Sequence, residues 1–63
     1  MLNILRELQI EREYLKLKTV EARTARNEST DEFERELANS RVKDYKAQRS
    51  AIERAINIVL NNL

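Results

Sequence analysis

The sequence predicts an all-α fold: an antiparallel two-helix hairpin of coiled-coil type, completed by dimerisation or by a partner chain. Three observations carry this prediction. The chain contains no Gly and no Pro, so most of the turn vocabulary that a β-rich fold draws on is missing. Ala38, Val42, Tyr45, Arg49, Ile52, Ile56, Val59 and Leu63 follow one another at alternating steps of four and three, and all but Arg49 are apolar or aromatic. That spacing averages ~3.5 residues per turn and draws one seam along a helix. Finally, a single stretch, Asn27-Glu28-Ser29-Thr30-Asp31, has turn chemistry.

The first helix is expected over residues 2–26. It is rich in Leu, Glu, Arg and Lys, and nothing in it breaks a helix. Its apolar residues make two faces. Met1, Ile4, Leu5, Leu8, Leu15 and Ala22 share one; Ile10, Tyr14, Leu17 and Val20 lie roughly opposite at 100° per residue. A helix with two apolar faces touches two neighbours. One is the second helix of its own chain, and the other comes from elsewhere.

The turn is expected at 27–30. Ser29 followed by Glu32 fits a capping box, with the hydroxyl accepting from a first-turn amide and the carboxylate reaching back. Asp31, Glu32 and Glu34 would then sit where the helix dipole favours negative charge. The alternative is one unbroken helix with a polar patch in its middle. It would be about 93 Å long at ~1.5 Å per residue, with no second layer to cover it.

The second helix is expected over 31–62. It begins acidic, turns basic through Arg41, Lys43, Lys46 and Arg49, and ends apolar at Ile52, Ile56, Ile58, Val59, Leu60 and Leu63. A short loop makes neighbouring helices antiparallel. The apolar end of the second helix should therefore lie beside Met1, Leu2, Ile4 and Leu5, gathering the hydrophobic mass at the end that holds both termini. The second helix should also outrun the first by several residues, leaving its last apolar turn without an intrachain cover.

Composition narrows the function. With 63 residues the chain is one domain at most. Charged residues make up 37% and hydrophobic ones 41%, the balance of long surface helices rather than of disorder. There is no Cys, which excludes a disulfide framework and a thiolate metal site. There is no His, which removes the commonest general base and the commonest metal ligand. Glu7, Glu11 and Glu13 read as solvated partners of Arg6 and Arg12, since no pocket is in prospect to split their pKa values. No catalytic residue, metal or cofactor is expected, and the chain does not read as an enzyme. Arg41, Lys43, Lys46 and Arg49, together with Lys16, Lys18, Arg23 and Arg26, invite a nucleic-acid reading, but the net charge is +1, too little to steer the whole chain, so these residues read as a solvated face and nucleic acid is the less favoured partner. No run approaches the ~18–20 apolar residues that span a bilayer. No signal-peptide pattern opens the chain, and a cytoplasmic protein is the expectation.

Within the seam, Arg49 should pack its stem and extend its guanidinium to an acidic neighbour, and Tyr45 should be a core residue with its hydroxyl at the edge. Tyr14 and Phe33 lie off the seam. A chain this short buries a modest fraction of its surface, and hydrophobic gain and ordering entropy come out near balance. Self-association or a partner is the expected supplement.

The stretch Ser50-Ala51-Ile52-Glu53-Arg54-Ala55-Ile56-Asn57-Ile58-Val59 resembles the C-terminal helix of the small E-type co-chaperones of type III secretion needle subunits. Those proteins are similar in length and are helical hairpins with a mid-chain turn. Their second helix ends in a comparable run of Ala, aliphatic, Glu, Ala, Ile and aliphatic positions; their loop often carries Gly, where this chain has Asn27 to Asp31. The resemblance implies pairing with a tetratricopeptide-like chaperone that holds the needle subunit soluble in the bacterial cytosol before export. It also implies contacts at Ala51, Ile52, Ala55, Ile56 and Val59. With the seam's end and a face of the first helix added, the expected partner-binding residues are Leu8, Leu15, Leu17, Ala51, Ile52, Ala55, Ile56, Val59 and Leu63. The alternative is a homodimeric four-helix-bundle regulator or adaptor of phage or plasmid origin, with RNA as a candidate ligand.

Overall fold

The protein, seen in a computed structural model that describes residues 2–63, is an antiparallel hairpin of α1 (Leu2–Glu28) and α2 (Glu32–Asn61). Met1 and the Leu2 side chain, expected beside the apolar end of α2, lie outside the described residues. The longest dimension is 48 Å, about the length of one 30-residue helix at ~1.5 Å per residue. A single unbroken helix is thereby excluded.

The seam of α2 packs as its spacing demands. Ala38, Val42 and Ile56 are buried, while Tyr45, Arg49, Ile52 and Val59 are half-buried. Leu63 lies beyond the helix end and is exposed. Arg49 donates from Nε to Glu53 Oε1 at 3.1 Å, one turn on, so its stem lies in the seam and its charge is matched at the edge.

The sequence left open which apolar face of α1 turns inward; it is the first, and only in part. The residues turned toward α2 are Leu5, Leu8, Arg12, Leu15, Thr19, Ala22 and Arg26, at steps of three and four throughout. Three of the seven are polar, which hides this seam from a hydrophobic count. Thr19 is buried because its hydroxyl donates to the Leu15 carbonyl oxygen at 2.7 Å, so nothing polar is left unpaired. Arg12 packs its stem with Nε buried, and its closest carboxylate oxygen, Glu13 Oε1, is 3.9 Å away. Ile4, expected beside the apolar end of α2, is exposed.

The turn also sits later than expected, at Ser29–Asp31. α1 continues past Arg26 because the Ser29 amide still bonds to the Ala25 carbonyl at 3.0 Å. Ser29 is therefore the tail of α1, and the N-cap of α2 is Asp31, the residue with extended backbone (φ −86°, ψ 126°). Its Oδ1 accepts from the Phe33 amide at 3.2 Å, and its carbonyl accepts from the Arg35 amide at 2.9 Å. The Ser29 hydroxyl lies 3.1 Å from the Asp31 carbonyl oxygen and 3.4 Å from Glu34 Oε2, and Arg35 Nη2 donates to the Ser29 carbonyl at 3.0 Å. Among the described residues no backbone takes a positive φ, which is how the reversal proceeds without Gly.

Arg26 Nη1 donates to Asn39 Oδ1 at 3.2 Å across the hairpin. α2, with 30 residues, is longer than α1, with 27, and it stops at Asn61. There Asn62 Nδ2 donates to the Ile58 carbonyl at 2.7 Å and closes the last turn.

The core is small and is not gathered at the termini. Among the described residues its buried apolar members are Leu15, Ala22, Ala38, Val42 and Ile56; two of these are alanines. At the termini Ile4, Ile58, Leu60 and Leu63 are exposed instead. The chain exposes 4965 Å², whereas surface scaling gives ~4,250 Å² for a compact chain of 7.5 kDa.

Candidate protein-docking surface

Opposite its seam, α1 carries Ile10, Tyr14, Leu17 and Val20, all more than half exposed. Their steps of four, three and three keep them on one side of the helix. The inner face of α1 is occupied by α2, so this outer stripe is an apolar face without a cover. It is rimmed by charge. Lys18 Nζ lies 3.3 Å from Glu21 Oε2 and 5.6 Å from the Tyr14 ring centroid, and Lys16 Nζ lies 3.4 Å from Glu13 Oε1. The bond to Glu21, then its charge, raise the Lys18 pKa above 10.5. An apolar strip with a charged rim has the anatomy of a helix-docking interface.

The nine expected partner-binding residues separate into three groups by exposure. Leu15 (2% exposed) and Ile56 (4%) are used up inside the hairpin and are closed to any partner while it stays folded. Leu8, Ile52, Ala55 and Val59 are half-buried and belong mainly to the intrachain seam. Leu17 (57%), Leu63 (63%) and Ala51 are exposed. Of these, Leu17 alone lies on the outer stripe. Its neighbours there, Ile10, Tyr14 and Val20, were marked by the two-faced pattern of α1 but not by the family resemblance, which rests on α2. Phe33, 71% exposed beside the turn, is a separate apolar point.

Two grooves run where the helices meet. One is marked by the Arg26–Asn39 bond. The other opens near the turn as a hollow of about 280 Å³ lined by Lys18, Glu21, Ala22, Ala25, Arg41 and Tyr45. Among the described residues no three His, Cys, Asp or Glu side chains come together as a metal group, and no helix is long and apolar enough to cross a membrane. Comparison with protein-family models, curated proteins and solved structures finds no match to this chain.

Proposed function

We propose that the chain is a protein-binding hairpin whose outer α1 stripe docks a helix of a partner chain. The carrying observation is the uncovered stripe Ile10-Tyr14-Leu17-Val20 on a helix whose other face is already packed. The area agrees with it. The excess over a compact chain is ~700 Å², close to the ~800 Å² that one partner contributes to a standard interface. A core of five apolar residues is thin for an independent domain, and cover on the stripe supplies what is missing.

The resemblance of Ser50–Val59 gives this reading its specific form. The chain is a co-chaperone of a type III secretion needle subunit, acting in the bacterial cytosol, and its partner is a tetratricopeptide-like chaperone, whose helical repeats offer the apolar groove that a stripe of this kind fits. The test is co-expression with a needle subunit and its repeat chaperone, followed by mass measurement in solution. The expected result is a complex that Leu17→Asp abolishes while leaving the helix content intact, because Leu17 is outside the core. A wild-type chain that stays at 7.5 kDa with both proteins present would overturn the co-chaperone reading. A particle of twice that mass without either protein would assign the stripe to a second copy, and so to the homodimeric regulator.

A further inference from the structure

The charge of +1 conceals a separation between the two grooves. Along the groove of the Arg26–Asn39 bond, α1 contributes Arg12, Lys16, Thr19, Arg23 and Arg26, at steps of four and three. From the other side α2 contributes Asn39, Val42, Lys46, Arg49 and Glu53, at steps of three and four. Six cations therefore line this groove, set against Glu53, bonded to Arg49, and Glu13 at its edge beside Lys16. The opposite groove holds Glu11, Glu21, Glu34 and Asp44 against Lys18 and Arg41. Neither the chain total nor the sequence order displays this separation; only the fold puts the six cations side by side.

We infer that the Arg12-to-Arg26 groove is a docking strip for the phosphate backbone of double-stranded nucleic acid, read without regard to sequence. Three features select this ligand. The strip is straight and about 21 Å long at ~1.5 Å per residue, which spans about six base pairs of a duplex at ~3.4 Å axial rise. Four of its six cations are Arg, whose planar fork pairs with phosphate oxygens. Between Arg12 and Arg26 its uncharged members Thr19 and Val42 are buried, so it offers no aliphatic or aromatic anchor of the kind that carries a protein interface. It also lacks an aromatic platform for unpaired bases, since Tyr45 lines the opposite groove and Tyr14 lies on the outer stripe. The strip is separate from that stripe and does not depend on what covers it.

The experiment measures binding of the full chain to fluorescent 24-base-pair duplexes, one of DNA and one of RNA, between 50 and 200 mM salt. Binding should appear at low salt and fall with a log–log slope of roughly −3 to −4, as ~0.9 per neutralised phosphate predicts for four net cations. Scrambling the sequence should leave it unchanged. Arg23→Glu and Lys46→Glu, both at exposed positions, should each weaken binding at least tenfold with an unchanged thermal melt. Glu11→Lys, in the other groove, should have no such effect. The preferred arm, DNA or RNA, identifies the source of the phosphate. Absence of binding to both duplexes at 50 mM salt would overturn the inference. So would equal loss from the Glu11 variant, or equally tight capture of polyglutamate, which would assign the strip to an acidic protein.

Discussion

Arg26 Nη1 and Asn39 Oδ1 meet at 3.2 Å across the mouth of the hairpin. Away from the contacts of Ser29 at the turn, this side-chain hydrogen bond joins α1 to α2. Seams of Leu, Val, Ala and Ile are tolerant of sliding, because apolar contacts have no direction. A single directional bond between half-buried groups fixes which residue of α1 stands beside which residue of α2.

Asn39→Ala should therefore cost about 1.5 kcal/mol, the low end of the range for a hydrogen bond to a charged group, because both partners are only half-buried. The drop in urea midpoint, read at fixed protein concentration, measures it. A double-mutant cycle with Arg26→Ala separates the bond from the packing of the Arg26 stem. A coupling energy indistinguishable from zero would show that packing alone sets the register.

The cap gives a second test. Asp31→Ala should destabilise the hairpin by about 1 kcal/mol, since the Phe33 amide loses its acceptor. Ser29→Ala should cost less, because Ser29 is the tail of α1 rather than a cap. Thermal melts of the two variants rank the positions directly, and the reverse order would return the cap to Ser29.

These two positions mark where the sequence was legible and where it was not. The seam of α2 could be read residue by residue, because its apolar positions keep step and its polar member, Arg49, finds Glu53 one turn away. The seam of α1 could not. Arg12, Thr19 and Arg26 occupy it, and a count of apolar residues sees a gap at each. What admits them is local: a hydroxyl turned back to the Leu15 carbonyl, and long stems that end at the groove edge. The capping-box pattern put the cap at Ser29 with Glu32, whereas Asp31 caps α2 because α1 runs on to Glu28. The outer stripe was legible as a second face, although its use was not. Lys16, Arg23, Arg26, Lys46 and Arg49 were legible as basic residues that could share a face, but Arg12 was not among them, and their separation from Lys18 and Arg41 exists only when the two helices lie together.

Thr19 provides a third prediction. Its hydroxyl is satisfied within its own helix, and the Leu15 carbonyl keeps its helical amide bond without it. Thr19→Val exchanges a buried hydroxyl for a methyl of nearly the same shape. Stability should rise by about 0.8 kcal/mol, the value of one buried methylene, and urea denaturation reads the gain. A loss of stability would mean that the hydroxyl serves something outside its own helix.

Lys18 supplies a dependence on pH. Its pKa is raised in the folded chain above 10.5, first by the hydrogen bond to Glu21. A raised folded value contributes stability that is fully present below the unfolded pKa and is lost as pH climbs through the folded one. The effect begins above pH 10.5 and is small, because the group is exposed to solvent. In an NMR titration Glu21→Gln should lower the Lys18 midpoint; an unmoved midpoint would assign the shift to Tyr14 instead.

Ile56 and Ile58 stand two residues apart on α2 with opposite surroundings, one 4% and the other 63% exposed. Ile56→Ala should cost about 3 kcal/mol, from lost transfer energy and the cavity left in a small core. Ile58→Ala should stay within about 0.5 kcal/mol. Ile56 lies in the stretch that carries the family resemblance, yet it is covered by α1. Ile56→Asp should therefore unfold the hairpin rather than detach a partner from a folded one, whereas Leu17→Asp should do the reverse. Circular dichroism and solution mass on both variants distinguish the two effects. Retained helix content with lost association in the Ile56 variant would mean that the hairpin opens to bind, placing the seam of α2, and not the outer stripe of α1, against the partner.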